Sequence, residues 1–276
     1  MKIQNLDPKK YKRFFAFGCS LTNYVWPTWA DIIGQDIPIY ENWAHPAAGN
    51  HYIFNSVMEA DAVHNFTQDD LIIIMWSNML REDRYVKDQW IHDGPDGVKS
   101  RYGSQWVNNF YLDNRAQLIH NLAHIKATHE FLSNKQSDWA SLAMSIHLTS
   151  TAFNPTLDST LKDKEFAVWT EKCQSVCKGE IQHLQDNYFN DADVITTYQQ
   201  TLQYISGVYS WFRSTHCEGR IVPNNDRHPI PKEALQFLDY VWPNNTISQE
   251  TRNQIEVWNT EIFNGKRKEV IFSNRL

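Results

Sequence analysis

The chain has 276 residues, 42% of them hydrophobic, and a formal net charge of −6. That length suits one α/β domain with insertions and a substantial core. With Lys266-Arg267-Lys268 as the single uninterrupted run of three basic residues and a net negative charge, the composition excludes a global electrostatic drive toward nucleic acid or an anionic membrane.

Residues 1–12 are polar and include a proline, so they lack the apolar centre of a secretory signal. No apolar run approaches the roughly 20 residues of a membrane-spanning helix. The expectation is a soluble chain made in a cytoplasm, with assembly into a larger particle left open. Cys19, Cys173, Cys177 and Cys217 are scattered and read as free thiols. Cys173 and Cys177 lack the clustered second pair of a zinc site, and no metal or cofactor is expected.

In chain order, Phe14 to Phe17 is the first predicted strand, and it runs into Gly18-Cys19-Ser20. Trp26 to Gly34 is a predicted helix, with Pro27 in its first turn and Gly34 as its stop. Asp36 to Glu41 carries Ile37 and Ile39 at strand alternation, residues 42–50 form a loop of small residues, and Ile53, Val57 and Ala60 mark a second helix reaching His64. This β-α-β-α order favours a parallel sheet. Leu71-Ile72-Ile73-Ile74-Met75 reads as a strand covered on both faces.

Residues 81–111 break the rhythm with charge, glycine, proline and the aromatics Tyr85, Trp90, Tyr102, Trp106, Phe110 and Tyr111. They are an insertion that either builds a small core of its own or offers flat rings to a sugar, with Asp83, Arg84, Asp93 and Asp96 bonding hydroxyls. Leu118, Leu122, Ile125, His129 and Leu132 recur at helical spacing. Ser141 to Leu148 reads as another buried strand, Glu165 to Asn187 as a helix, and Lys232 to Tyr240 as a helix. A last helix at about 247–263 carries Ile255, Trp258 and Ile262. The whole chain, 1–276, reads as one domain.

A serine hydroxyl needs a base within hydrogen-bond reach, and that base needs a third group to hold its tautomer. Ser20 at a strand end, with Asp226 and His228 just before a late helix, supplies these parts. Donors for the developing oxyanion are the N–H groups of Ser20 and Gly49 and the side-chain amide of Asn78. Plainer readings stand beside these: Gly49 in a positive-φ turn, Asn78 closing a turn, Asp226 and His228 as a surface pair. Cys19 is expected to face the interior, because neighbouring residues on extended chain point to opposite sides. His120 and His124 read as solvated or capping histidines rather than metal ligands.

Gly18-Cys19-Ser20-Leu21, Ala48-Gly49-Asn50, Trp76-Ser77-Asn78 and Asp226-Arg227-His228-Pro229, in this order, resemble the four blocks of the SGNH, or GDSL, hydrolase family. The resemblance implies a flavodoxin-like three-layer α/β/α fold with a parallel sheet and metal-free hydrolysis of esters, thioesters or sugar acetyl groups. It implies Ser20 as nucleophile, His228 as general base and acid, Asp226 as the residue orienting His228, and Gly49 and Asn78 as oxyanion donors. Trp76 and Asn50, which lie within the third and second blocks, are candidate substrate contacts. The chain departs from the family at Cys19 and Met79, where Asp is usual, at Trp76, where Gly is usual, and in placing the acid two rather than three positions before His228. The expected function is a serine esterase acting on a small-molecule or glycan ester, with a short acyl group on a carbohydrate favoured. The alternatives are a non-catalytic glycan-binding or structural protein of the same fold, and a lipase or thioesterase.

Overall fold

The computed structural model describes residues 6–77, 81–93, 95–107, 109, 114–143, 228–242 and 244–267. The strands β1 (Arg13–Phe17), β2 (Ile39–Asn42), β3 (Asp70–Trp76) and β6 (Asp138–Ala143) form one sheet in the order β2-β1-β3-β6, with every pairing parallel. Between β3 and β6 stands an antiparallel hairpin of β4 (Glu82–Val86) and β5 (Gln89–Asp93). The helices are α1 (Trp29–Gly34), α2 (Asn50–His64), α3 (Pro95–Trp106), α4 (Asn114–Ser133), α5 (Pro231–Val241) and α6 (Gln249–Phe263).

The connections explain how the sheet is covered. The crossover from β1 to β2 and the one from β2 back past β1 to β3 run in opposite directions, so right-handed crossovers put α1 and α2 on opposite faces. Accordingly α1 packs on α5 and α5 on α6, while α2 packs on α4. The result is a mixed α/β structure compatible with a three-layer fold. Every residue of β3 is buried, as its unbroken apolar run predicts for a central strand.

Several boundaries move for local reasons. The first helix starts at Trp29 rather than Trp26, because Thr28 is its N-cap and its N–H donates to Asp31 Oδ2 at 2.7 Å. The second strand starts at Ile39, so Ile37 is buried before it while Ile39 on the edge strand is exposed. The strand predicted from Ser141 begins at Asp138, and the stretch from 144 to 227, including the helix expected at Glu165 to Asn187, lies outside the described residues. On α4, Ile125 and Leu132 of the predicted stripe are buried.

The amino end of the sheet is locked by charge. Arg13 at the start of β1 grips Asp70 at the start of β3, Nε to Oδ1 at 2.5 Å and Nη2 to Oδ2 at 2.6 Å. Asp70 is fully buried, so only a bidentate cation with further donors makes that position tolerable; the Thr67 N–H is one of them. Ser20 lies beyond the opposite, carboxyl end of β1.

A polar chain crosses the layer between the sheet and α4. Trp76 Nε1 donates to Ser141 Oγ at 2.7 Å, and Ser141 Oγ lies 2.9 Å from His129 Nε2. Ser141 Oγ accepts from the indole and shares a hydrogen bond with the His129 ring. Burial pushes His129 down from 6.5 to about 4. Its folded-state value is therefore below its unfolded one, so the stability it contributes is complete above pH 6.5 and is lost as pH falls toward 4. Urea unfolding across that window is expected to show acid destabilisation of up to about 3 kcal/mol from this group, with His129→Gln flattening the slope.

Candidate active site

The strand order places Ser20 where parallel sheets leave a crevice: β1 lies at the point where the crossovers reverse, and ligands bind outside the carboxyl ends of strands there. After Phe17 the chain turns sharply, with the N–H groups of Thr22 and Asn23 both donating to Cys19 O at 2.8 and 3.0 Å. Ser20 lies in this turn and is 8% exposed. Cys19 is fully buried in the core, as expected, although it lies in the turn beyond β1 and not on extended chain, so packing rather than strand alternation places it. Gly18 is demanded by close approach, since a Cβ there would lie 2.2 Å from Thr22 Oγ1 and 3.1 Å from Met75 O. The neighbouring loop braces the turn: Asn42 Nδ2 donates to Thr22 O, Asn23 Nδ2 to Ala44 O, and the His45 N–H to Gly18 O.

His228 reaches the same loop from far along the chain. Its ring stacks on Tyr24, centroids 3.7 Å apart with 18° between planes, and Trp26 Nε1 donates to Pro229 O at 2.8 Å. The loop that follows Ser20 and the predicted base His228 are thus brought together beyond the carboxyl end of β1. Asp226 and Asn78 lie outside the described residues.

Gly49 is the N-cap of α2 with φ −95°, so a positive-φ turn is not what calls for glycine. Its N–H donates to Asp83 Oδ1 at 2.8 Å, and the Tyr52 N–H donates to Asp83 Oδ2 at 2.8 Å. A Cβ on Gly49 would lie 2.7 Å from Asp83 Oδ2 and 2.9 Å from Arg81 O. Glycine is needed here to let the β4–β5 hairpin dock its carboxylate on the end of α2, where the helix dipole also favours negative charge. One predicted oxyanion donor is therefore held by a carboxylate of the chain itself.

Asp83 in turn pairs across the hairpin with His92, whose Nδ1 lies 2.8 Å from Oδ1. Both side chains are almost fully buried, and His92 Nε2 has no hydrogen-bond partner among the described residues. His45 packs against His92 with centroids 4.3 Å apart, and burial, followed by the neighbouring His92, holds it below the usual histidine range.

Two predicted substrate contacts are corrected. Asn50 is buried and its amide is spent on protein: Oδ1 accepts from the Ser77 N–H at 2.7 Å, while Nδ2 donates to Ser77 O and to Asn121 Oδ1. It braces the end of β3 rather than facing a ligand. Trp76 is 2% exposed and packs in the core with its indole N–H on Ser141. A strand buried on both faces has no side for it to turn toward solvent.

In its described residues the insertion builds a small core of its own. Val98 and Val107 form a small core against which Tyr102 and Trp106 pack, Arg84 lies over the Tyr102 and Trp106 rings, and Asp93 pairs with Arg101. Trp90 packs on the main core instead. His124, expected as a solvated or capping histidine, stacks on His51 and Phe54 and is pushed down to about 4 by burial and by His51 and His120. Among the described residues no group of three or more His, Cys, Asp or Glu is arranged to hold a metal ion.

Sequence reasoning missed Tyr24, Trp26 and His92, and gave Asp83 the wrong task. The two-residue turn at Lys87 and Asp88, both at positive φ, sets residue 83 opposite 92, and Lys-Asp is not one of the Asn-Gly or Asp-Gly pairs that mark such a turn in a sequence. Compared with protein-family models, curated proteins and solved structures, the chain matches none. No helix among the described residues is long and apolar enough to cross a membrane.

Proposed function

We propose that the chain is a serine hydrolase built on a parallel α/β sheet, with Ser20 as nucleophile and His228 as general base. The finer reading is a carboxylic ester hydrolase of the SGNH type, favouring a short acyl group on a carbohydrate. The observation that carries it is the docking of His228 and Pro229 onto the Ser20 loop through Tyr24 and Trp26, which joins two stretches that nucleophilic catalysis needs side by side. Ser20 Oγ attacks the ester carbonyl as His228 takes its proton; the alcohol leaves with that proton, and water deprotonated by His228 releases the acid. The Ser20 N–H is the oxyanion donor this reading calls on first, since the Gly49 N–H is bonded to Asp83 Oδ1.

The engagement of the Gly49 N–H by Asp83 favours a second reading, a glycan-binding protein that keeps the fold without the chemistry. The test is release of p-nitrophenol from acetate, butyrate and octanoate esters by wild type and Ser20→Ala. Ser20-dependent turnover that declines with chain length supports the short-acyl esterase, and a rise toward octanoate replaces it with the lipase or thioesterase. Turnover equal in both proteins, together with glycan affinity unchanged by Ser20→Ala, supports the binder.

A further inference from the structure

We infer that Tyr24 and Trp26 form an aromatic clamp that sets the His228 ring relative to Ser20; the inference rests on the esterase reading above. The clamp is made by the nucleophile loop itself. Four residues after Ser20, the Tyr24 ring lies against the imidazole at 3.7 Å and 18°. That is closer than the roughly 4.5–7 Å usual for aromatic pairs, so the two faces overlap fully. Trp26 meets Tyr24 edge-on at 4.7 Å and 77°, is 1% exposed, and fixes the residue after His228 through its indole N–H on Pro229 O. Ile262 of α6 packs on Trp26, and the Arg267 guanidinium lies 5.1 Å from the Trp26 ring centroid. The order Arg267, Trp26, Tyr24, His228 thus gives part of the basic run near the end of the chain a place in the site.

The physical need is orientation. A carboxylate bonded to one ring nitrogen fixes the tautomer but leaves the imidazole free to tilt about that bond. A ring stacked on its face removes the tilt. When Ser20 gives up its proton the imidazole becomes a cation, and an aromatic face attracts that cation more than the neutral ring, so the contact strengthens as the barrier is approached. Tyr24 acts through His228 rather than on the substrate; it is a positioning residue.

The experiment is steady-state hydrolysis of p-nitrophenyl acetate by wild type, Ser20→Ala, Tyr24→Phe and Tyr24→Leu, with thermal melts of each. Tyr24→Phe keeps the stack and is expected to stay within about threefold of wild type, whereas Tyr24→Leu loses about 10- to 100-fold in kcat with KM nearly unchanged. Trp26→Phe, which deletes the donor to Pro229 O and shrinks the buried ring against Tyr24, is expected to lower kcat in the same sense and serves if Tyr24→Leu melts early. Ser20-dependent activity in wild type with kcat intact in both Tyr24→Leu and Trp26→Phe overturns the clamp and leaves the esterase reading standing. Absence of Ser20-dependent activity on all three p-nitrophenyl esters overturns the esterase reading and the clamp's catalytic role together. In that case, His228 ring-proton shifts unaffected by Tyr24→Leu show that the stack is absent as well.

Discussion

Ser20→Ala is expected to cut ester hydrolysis by about three orders of magnitude or more, and Cys19→Ala to leave it within about threefold of wild type. The two thiol and hydroxyl groups are neighbours in sequence but not in environment. Cys19 has no exposed surface and sits in the core with Phe17, Trp43 and Met75, so a substrate carbonyl cannot reach its sulfur without unpacking β1. Its loss to alanine removes one buried sulfur, worth about 1 kcal/mol of stability. Ser20 lies one residue further on, inside the turn closed on Cys19 O and beside the loop that holds His228. Parallel progress curves and urea melts of the two variants check the expectation. Activity lost in Cys19→Ala and kept in Ser20→Ala moves the nucleophile to the thiol and removes the hydroxyl from the mechanism.

Asp83→Ala is expected to cost about 3–5 kcal/mol of stability, a large loss for one change in a hairpin outside the main sheet. The carboxylate accepts from the Gly49 N–H, the Tyr52 N–H and His92 Nδ1, and all three donors are left in buried surroundings when it goes. Each orphaned donor costs about 1–3 kcal/mol, partly recovered as the helix end frays and admits water. Asp83→Asn keeps one acceptor oxygen but loses the charge that the α2 dipole and His92 both favour, so it falls between wild type and alanine. Equilibrium unfolding in urea measures the loss, and hydrogen exchange at Gly49 and Tyr52 locates it. A loss below about 1 kcal/mol with unchanged exchange at both amides shows that Asp83 is not what closes this end of α2.

These expectations separate what is local from what is not. The β-α-β-α order, the burial of Leu71 to Met75 and the helix through Ile53, Val57 and Ala60 are all legible in the sequence, because periodicity of apolar residues is a local property of the chain. Ser20 and His228 are legible as chemical types at strand and helix boundaries. The tasks of Gly49, Asn50 and Trp76 are not, since each depends on a partner remote in sequence: Asp83 for the glycine, Ser77 and Asn121 for the asparagine, Ser141 for the indole. A residue's type shows what bonds it can form; only packing shows whether those bonds are already spent.

The sequence by itself determined the parallel α/β character and the position of a serine at the end of the first strand, because both follow from residue spacing and strand–helix alternation. Only the tertiary structure decided that Tyr24 and Trp26 hold the stretch carrying His228, that a hairpin carboxylate occupies the Gly49 amide, and that Asn50 and Trp76 face inward. The physical reason is that hydrogen bonds and ring contacts between distant segments are set by how the crossovers fold the chain over the sheet, and no short-range pattern encodes which donor meets which acceptor.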